Sequence, residues 1–248
     1  MTSPTPPHRL IVKNWQNELL AVSRPEKIKI LSSFFKTGKG EYGEGDVFAG
    51  VAVPDNRAVA RTHSHETIEV FAEMLQSPVH EHRLSALLAM VESYSRCKDA
   101  GRQTELIDFY ETIIPRCNNW DLVDLSAPKL LGPEISSGRR LDMHERLSSS
   151  TLIWARRTAV VSTLHDVMKC RRTALATSQC RRHLDAPEPL MHKAVGWVLR
   201  EVGKKEIDTL RAFLDDNVTR MTATTLSYAT EKMDKDERQK WRSLRNSK

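Results

Sequence analysis

Apolar residues return at three- and four-residue intervals along nearly all of this 248-residue chain, a spacing that confines it to packed α-helices. The pattern is plain in Ile28, Leu31, Phe34 and Phe35; in Ile68, Phe71, Ala72 and Leu75; and in Leu84, Leu87, Leu88 and Val91. Strand-like alternation is nearly absent. Breaks at Ser77-Pro78, at Lys98-Asp99-Ala100-Gly101 and at Ala186-Pro187-Glu188-Pro189 cut the pattern into helix-hairpin lengths. Helical pairs in series without an exact repeat predict an all-α, irregular solenoid of the HEAT or armadillo kind, with an extended concave groove. The run from Gly38 to Gly45 is the one long non-helical stretch, and Pro54 is expected at the start of the next helix. That run ends in Asp46-Val47 rather than Lys-Ser/Thr, so it is no Walker loop. The expected organisation is a disordered lead-in over residues 1–8, one helical domain over 9–232, and a basic, solvated helix or tail over 233–248.

Hydrophobic residues at 40% and charged residues at 28% are ordinary values for a globular protein. No stretch of 18 apolar residues appears, and no charged start leads into an apolar run, which argues against a membrane span or a signal peptide. The expectation is an intracellular monomer, cytoplasmic in a prokaryote or nuclear in a eukaryote. Cys97, Cys117, Cys170 and Cys180 are spaced unlike a metal or disulfide framework and read as reduced thiols. His63 with His65, and His80 with His82, face opposite sides of a helix at i,i+2 and read as solvated helix-start residues rather than as a metal site.

The net charge of +6 points to a polyanion, and its distribution says more. Arg156, Arg157, Lys169, Arg171, Arg172, Arg181 and Arg182 face one acid, Asp166, so this stretch alone equals the excess of the whole chain. Clustering of that density reads as a phosphate-facing surface, against the plainer reading of a solvated helix pair.

Asn118-Asn119-Trp120-Asp121-Leu122-Val123-Asp124 sets an indole and a carboxylate four residues apart at a helix start, on one face. Asn118 is expected as N-cap and Asp121 as its capping-box partner, which puts Trp120 in the first turn and Asp124 in the second. A carboxylate held against a flat aromatic surface can face a cation. The plainer reading is a buried Trp anchor with a solvated Asp.

Ile153-Trp154-Ala155-Arg156-Arg157-Thr158 and His192-Lys193-Ala194-Val195-Gly196-Trp197-Val198-Leu199-Arg200 add two more helices carrying Trp and Arg. With the Trp120 segment they resemble the AlkD family of DNA alkylation repair glycosylases. The family's tryptophan-then-aspartate motif falls on Trp120 and Asp124, its helix arginine on Arg157 and its second tryptophan on Trp197. Phe34-Phe35-Lys36-Thr37-Gly38 and the run from Tyr42 to Pro54 are similar to the N-terminal signature of bacterial-type members, so the resemblance spans residues 25 to 232. Many members carry an Arg where this chain has Ala52, and further arginines where it has Ala223 and Ser227.

The resemblance implies a DNA glycosylase that hydrolyses the N-glycosidic bond of N3- or N7-alkylated purines in duplex DNA, without metal or cofactor and without flipping the base. Asp124 and Trp120 would be catalytic. Arg157 and Trp197 would bind DNA, with Arg156, Arg171, Arg172, Lys193 and Arg200 on the same path. Trp154 is left as packing. A non-catalytic DNA-binding solenoid and a protein-interaction adaptor are the alternatives.

Overall fold

The computed structural model describes residues 7–246, and the secondary structure of this span is α-helical, with fifteen α-helices joined by short 3-10 turns and loops. One isolated parallel bridge, Val47 to Val79, interrupts the helical pattern. Packing divides the chain after Ser126 into two compact units, residues 1–126 and 127–248. Of the expected lead-in, residues 1–6 lie outside the described span, and the first helix starts at Pro7.

The first unit holds α1 (Pro7–Ala21), α2 (Ile28–Phe34), α3 (Val53–Thr62), α4 (Ile68–Leu75), α5 (His80–Arg96), α6 (Ala100–Ile113) and α7 (Trp120–Ser126). Its centre is α5, against which α1, α3, α4, α6 and α7 all pack. The stripe Leu84, Leu87, Leu88 and Val91 is buried, as its spacing predicts, and so are His80, Glu81, Arg83 and Ser85 on the other faces. A helix buried all round must satisfy its polar groups internally. Glu81 does so by accepting from the backbone N–H groups of Ala49, Gly50 and Val51 at 2.9, 2.8 and 3.2 Å. Gly50 has φ +82, and a Cβ there would meet the Arg24 carbonyl oxygen at 2.3 Å, so only glycine lets the chain pass.

The second unit holds α8 (Leu131–Ser136), α9 (Leu141–Ser148), α10 (Ile153–Ser162), a π-helical turn (Asp166–Cys170), α11 (Ala174–Arg182), α12 (Pro189–Lys205), α13 (Ile207–Asn217), α14 (Ala223–Ala229) and α15 (Lys235–Asn246). Here α12 is central, touching α10, α11, α13 and α14. It runs close to the backbone of α14, where a Cβ on Gly196 would meet Tyr228 Cβ at 2.5 Å and the Thr225 carbonyl oxygen at 2.7 Å. The basic C-terminal stretch forms α15, anchored through Trp241, which is 1% exposed. In each unit, helices stack on near neighbours in sequence, which is the solenoid-like manner of building.

All four cysteines are free: Cys117 and Cys180 buried, Cys97 half-buried, Cys170 exposed. Among the described residues no helix is long and apolar enough to cross a membrane.

Candidate functional site

Chain geometry around α7 is set by what precedes it. Pro115 ends α6 in a 3-10 turn, and the Asn119 side chain then accepts the Trp120 N–H at 2.8 Å. Leu122, Val123 and Ser126 form the inward face; the Ser126 hydroxyl donates to the Leu122 carbonyl at 2.6 Å and pairs with the Tyr110 hydroxyl at 2.9 Å. Trp120 and Asp124, one turn apart, are both half-buried. The Trp120 indole stacks on Phe35 (centroids 5.2 Å apart, 28° between planes), meets Phe34 edge-on at 5.8 Å, and donates from Nε1 to the Tyr42 hydroxyl at 3.3 Å. Phe34 is 60% exposed, so this aromatic wall opens to solvent.

The expected capping box is not what forms. Asn118 donates to Asp46 Oδ1 at 2.7 Å and accepts from Arg83 at 2.9 Å, while Asp121 turns inward and binds His80 Nε2 at 2.8 Å. The reason is energetic: two cationic side chains lie at the buried start of α5, and leaving a buried charge without its partner costs about 3–5 kcal/mol against about 1 for a lost cap. Asp46 completes the group, accepting from Arg83 at 2.7 Å and from His80 Nδ1 at 3.3 Å. Burial alone would lower the His80 pKa, but the Asp121 charge and the bonds to both carboxylates push it up to about 9. Burial raises the Asp46 pKa, and the bonds to His80 and Asn118 and the Arg83 charge more than reverse this. Both shifts describe one neutral quartet: two acids, an imidazolium and a guanidinium.

His80 is therefore not a solvated helix-start residue. Nor is His63, which lies under Trp15 with ring centroids 4.3 Å apart and pairs with Glu18 at 2.9 Å. His82 is the opposite of His80, since burial and the neighbouring Arg83 charge bring its pKa down to about 4. In sequence the network shows only as a polar start, His80, Glu81 and Arg83, to a helix whose next two turns are mostly apolar, a pattern that reads equally as a solvated helix end.

In the second unit, Arg157 on α10 is 4% exposed and donates to the Leu190 carbonyl at the start of α12. Trp197, half-buried, follows Gly196 on α12, and Trp154 is buried. Arg156 pairs with Glu188 and donates to the Ser150 and Thr151 carbonyls at 2.9 Å. Arg172 binds Asp166 and the Ser136 carbonyl, each at 2.6 Å; Arg200 pairs with Glu231. Arg171 and Lys193 are exposed, and Arg171 closes the π-helical turn with φ 52, an uncommon conformation for a side chain-bearing residue. Trp120 and Asp124 thus share one turn of the first unit, and Arg157 and Trp197 lie on packed helices of the second. Among the described residues no group of His, Cys, Asp and Glu could hold a metal ion.

The family model described as DNA alkylation repair enzyme matches residues 15–233. A search of curated proteins finds no match. Among solved structures, the chain is similar to one named a predicted DNA alkylation repair enzyme from Enterococcus faecalis, with a TM-score of 0.67 at 16% identity over 86% of this chain and 97% of that one. At that identity the likeness shows a shared all-α fold. The matched span runs from α1 to the end of α14 and includes every candidate residue named above, and on that ground the chain belongs to the DNA alkylation repair enzyme family.

Proposed function

We propose that this repair enzyme is a DNA glycosylase that releases cationic N3- or N7-alkylated purines from duplex DNA. Alkylation at either nitrogen makes the base a good leaving group, so no general acid is needed. What remains is to stabilise an oxocarbenium-like sugar and to aim a water at it, which one carboxylate can do. The observation that carries the reading is the contrast between the two acids of α7. Asp121 is buried beneath α7, whereas Asp124 stays half-exposed, one turn on from Trp120 along the same helix face. Trp120, with Phe34 and Phe35, would exclude bulk water from one side of the lesion and strengthen the Asp124 charge.

Trp197 would meet the lesion strand, and Arg171 and Lys193 supply exposed positive charge for its phosphates. Arg156, Arg157, Arg172 and Arg200 would exchange their present partners for phosphate on binding. Exposed ion pairs are worth about 0–1 kcal/mol, so the exchange is cheap for Arg172, 55% exposed; it costs more for Arg156 and Arg200, 15% and 20% exposed, and most for the buried Arg157, which must leave a backbone carbonyl.

The test is Asp124→Asn under single turnover on methylated duplex, with chromatography of released 7-methylguanine and 3-methyladenine. Excision falls roughly 10²–10⁴-fold while duplex affinity is kept. Near-wild-type excision by the variant removes Asp124 from the chemistry. A wild-type protein that binds methylated duplex yet releases no base is a duplex-binding scaffold instead.

A further inference from the structure

The excision chemistry leaves the buried group Asp46, His80, Arg83 and Asp121 without a task. We propose that His80 is a positioning residue for base excision: bonded to Asp121 and Asp46 and stacked behind Phe35, it fixes the first turn of α7 and so the aim of Trp120 and Asp124. This rests on the glycosylase reading above.

The geometry is a short chain of contacts. α7 has seven residues, too few for a helix to hold its own register in water, so its orientation comes from tertiary contacts. Asp121 stands directly after Trp120 and three residues before Asp124. Its Oδ2 binds His80 at 2.8 Å, and its Oδ1 has no partner among the described residues, so His80 is what holds this buried carboxylate. A parallel stack reaches the same helix: His80 on Phe35 at 5.2 Å and 29°, then Phe35 on Trp120 at 5.2 Å and 28°. Phe48 packs on both the imidazole and Phe35, at 4.7 and 5.2 Å, so the three rings form one cluster. Through Asp46 the same ring is tied to the loop that carries Tyr42, whose hydroxyl accepts from Trp120. His80 thus grips Trp120 from behind and α7 from its first turn.

The charged and titratable groups facing His80 are Asp46 from the loop, Asp121 from α7 and Arg83 from its own helix. Cys117, beside Asp121 and Arg83, stays a thiol because burial pushes its pKa up to about 12. Loss of the imidazolium leaves two buried carboxylates against one guanidinium, and Asp121 is the one with no other partner. A misplacement of about 1 Å at a reacting group can cost on the order of 10²-fold in rate.

The experiment compares wild type, His80→Gln, Asp121→Asn, Asp124→Asn and the double variant His80→Gln/Asp124→Asn. Readouts are melting temperature, affinity for unmodified duplex and single-turnover excision of 7-methylguanine from pH 6 to 9.5. We expect His80→Gln and Asp121→Asn to excise about 10- to 100-fold more slowly, with duplex affinity kept within about twofold. The ratio of wild-type to His80→Gln rates cancels the titration of the lesion itself; it should hold steady to about pH 8 and shrink as His80 loses its proton near pH 9. In the Asp124→Asn background, His80→Gln should cost little more, because there is no aimed carboxylate left to misplace.

Should His80→Gln unfold, Asp121→Asn, which removes the buried charge and keeps the volume, carries the same comparison. The proposal is overturned if these variants excise normally. It is overturned equally if the rate ratio is flat with pH and the loss multiplies in full in the Asp124→Asn background, as a purely structural defect would. Normal excision by Asp124→Asn instead brings down the glycosylase assignment of that carboxylate, an outcome separate from the first two.

Discussion

Trp15 and Trp120 carry the same indole and bury it to different depths. Trp15 has no exposed surface, donates from Nε1 to Ser85 at 2.9 Å and stacks on His63. Trp120 is half-buried, and its bond to Tyr42 is longer, at 3.3 Å. Trp15→Ala should cost on the order of 3–5 kcal/mol and melt far below wild type. Trp120→Ala should cost about 1–2 kcal/mol by area lost, and its excision should fall far more than its stability. Thermal melts and single-turnover excision on the same preparations decide it; a Trp120→Ala protein that melts like Trp15→Ala but excises normally when cold makes Trp120 a core residue. The spacing of Trp120 and Asp124 was legible because a four-residue interval on a helix needs only local geometry. The inward turn of Asp121 was not, since its partner His80 lies 41 residues away and local capping rules favour the other conformation.

At the scale of elements, the helical pattern and three of its breaks were readable: α4 ends at Leu75 before Ser77-Pro78, α6 begins at Ala100, and α12 begins at Pro189. Each break is written in proline, glycine or a capping Asp, residues that act on their own backbone. Which helices become central was not readable in the same way. Nothing local marks α5 as buried on all sides, since His80, Glu81 and Arg83 look like a solvated start until Asp46, Asp121 and three backbone N–H groups meet them. In α12 the sign is Gly196, which lets α14 come within reach of its backbone. Gly196→Ala should destabilise the second unit by about 1–3 kcal/mol, because the new methyl meets Tyr228 Cβ and a backbone carbonyl rather than a flexible side-chain end. A lowered denaturation midpoint with unchanged helicity would show it; an unchanged midpoint would mean that α14 gives way freely.

Across the whole molecule, the excess of positive charge was legible in composition and its pairing was not. Glu188 and Glu145, which hold Arg156 and Arg182, lie just outside the basic stretch on either side, so counting within the stretch finds no acid but Asp166. Among the arginines proposed for DNA, the exposed Arg171 stands apart from the ion-paired Arg156 and Arg172. Arg171→Gln and Lys193→Gln should each weaken binding to every duplex alike and flatten the plot of log affinity against log salt by about 1 unit. Slopes unchanged in both variants would mean that these side chains look at solvent. The two interior sulfurs bear on the setting in which such an enzyme works. Agents that alkylate purines are electrophiles, and electrophiles take thiolates first. Cys117 and Cys180 are out of contact with solvent, and burial holds both in the unreactive thiol form. The sulfurs that such electrophiles can reach in this protein are those of the exposed Cys170 and the half-buried Cys97, while the pair that packs the two cores is spared.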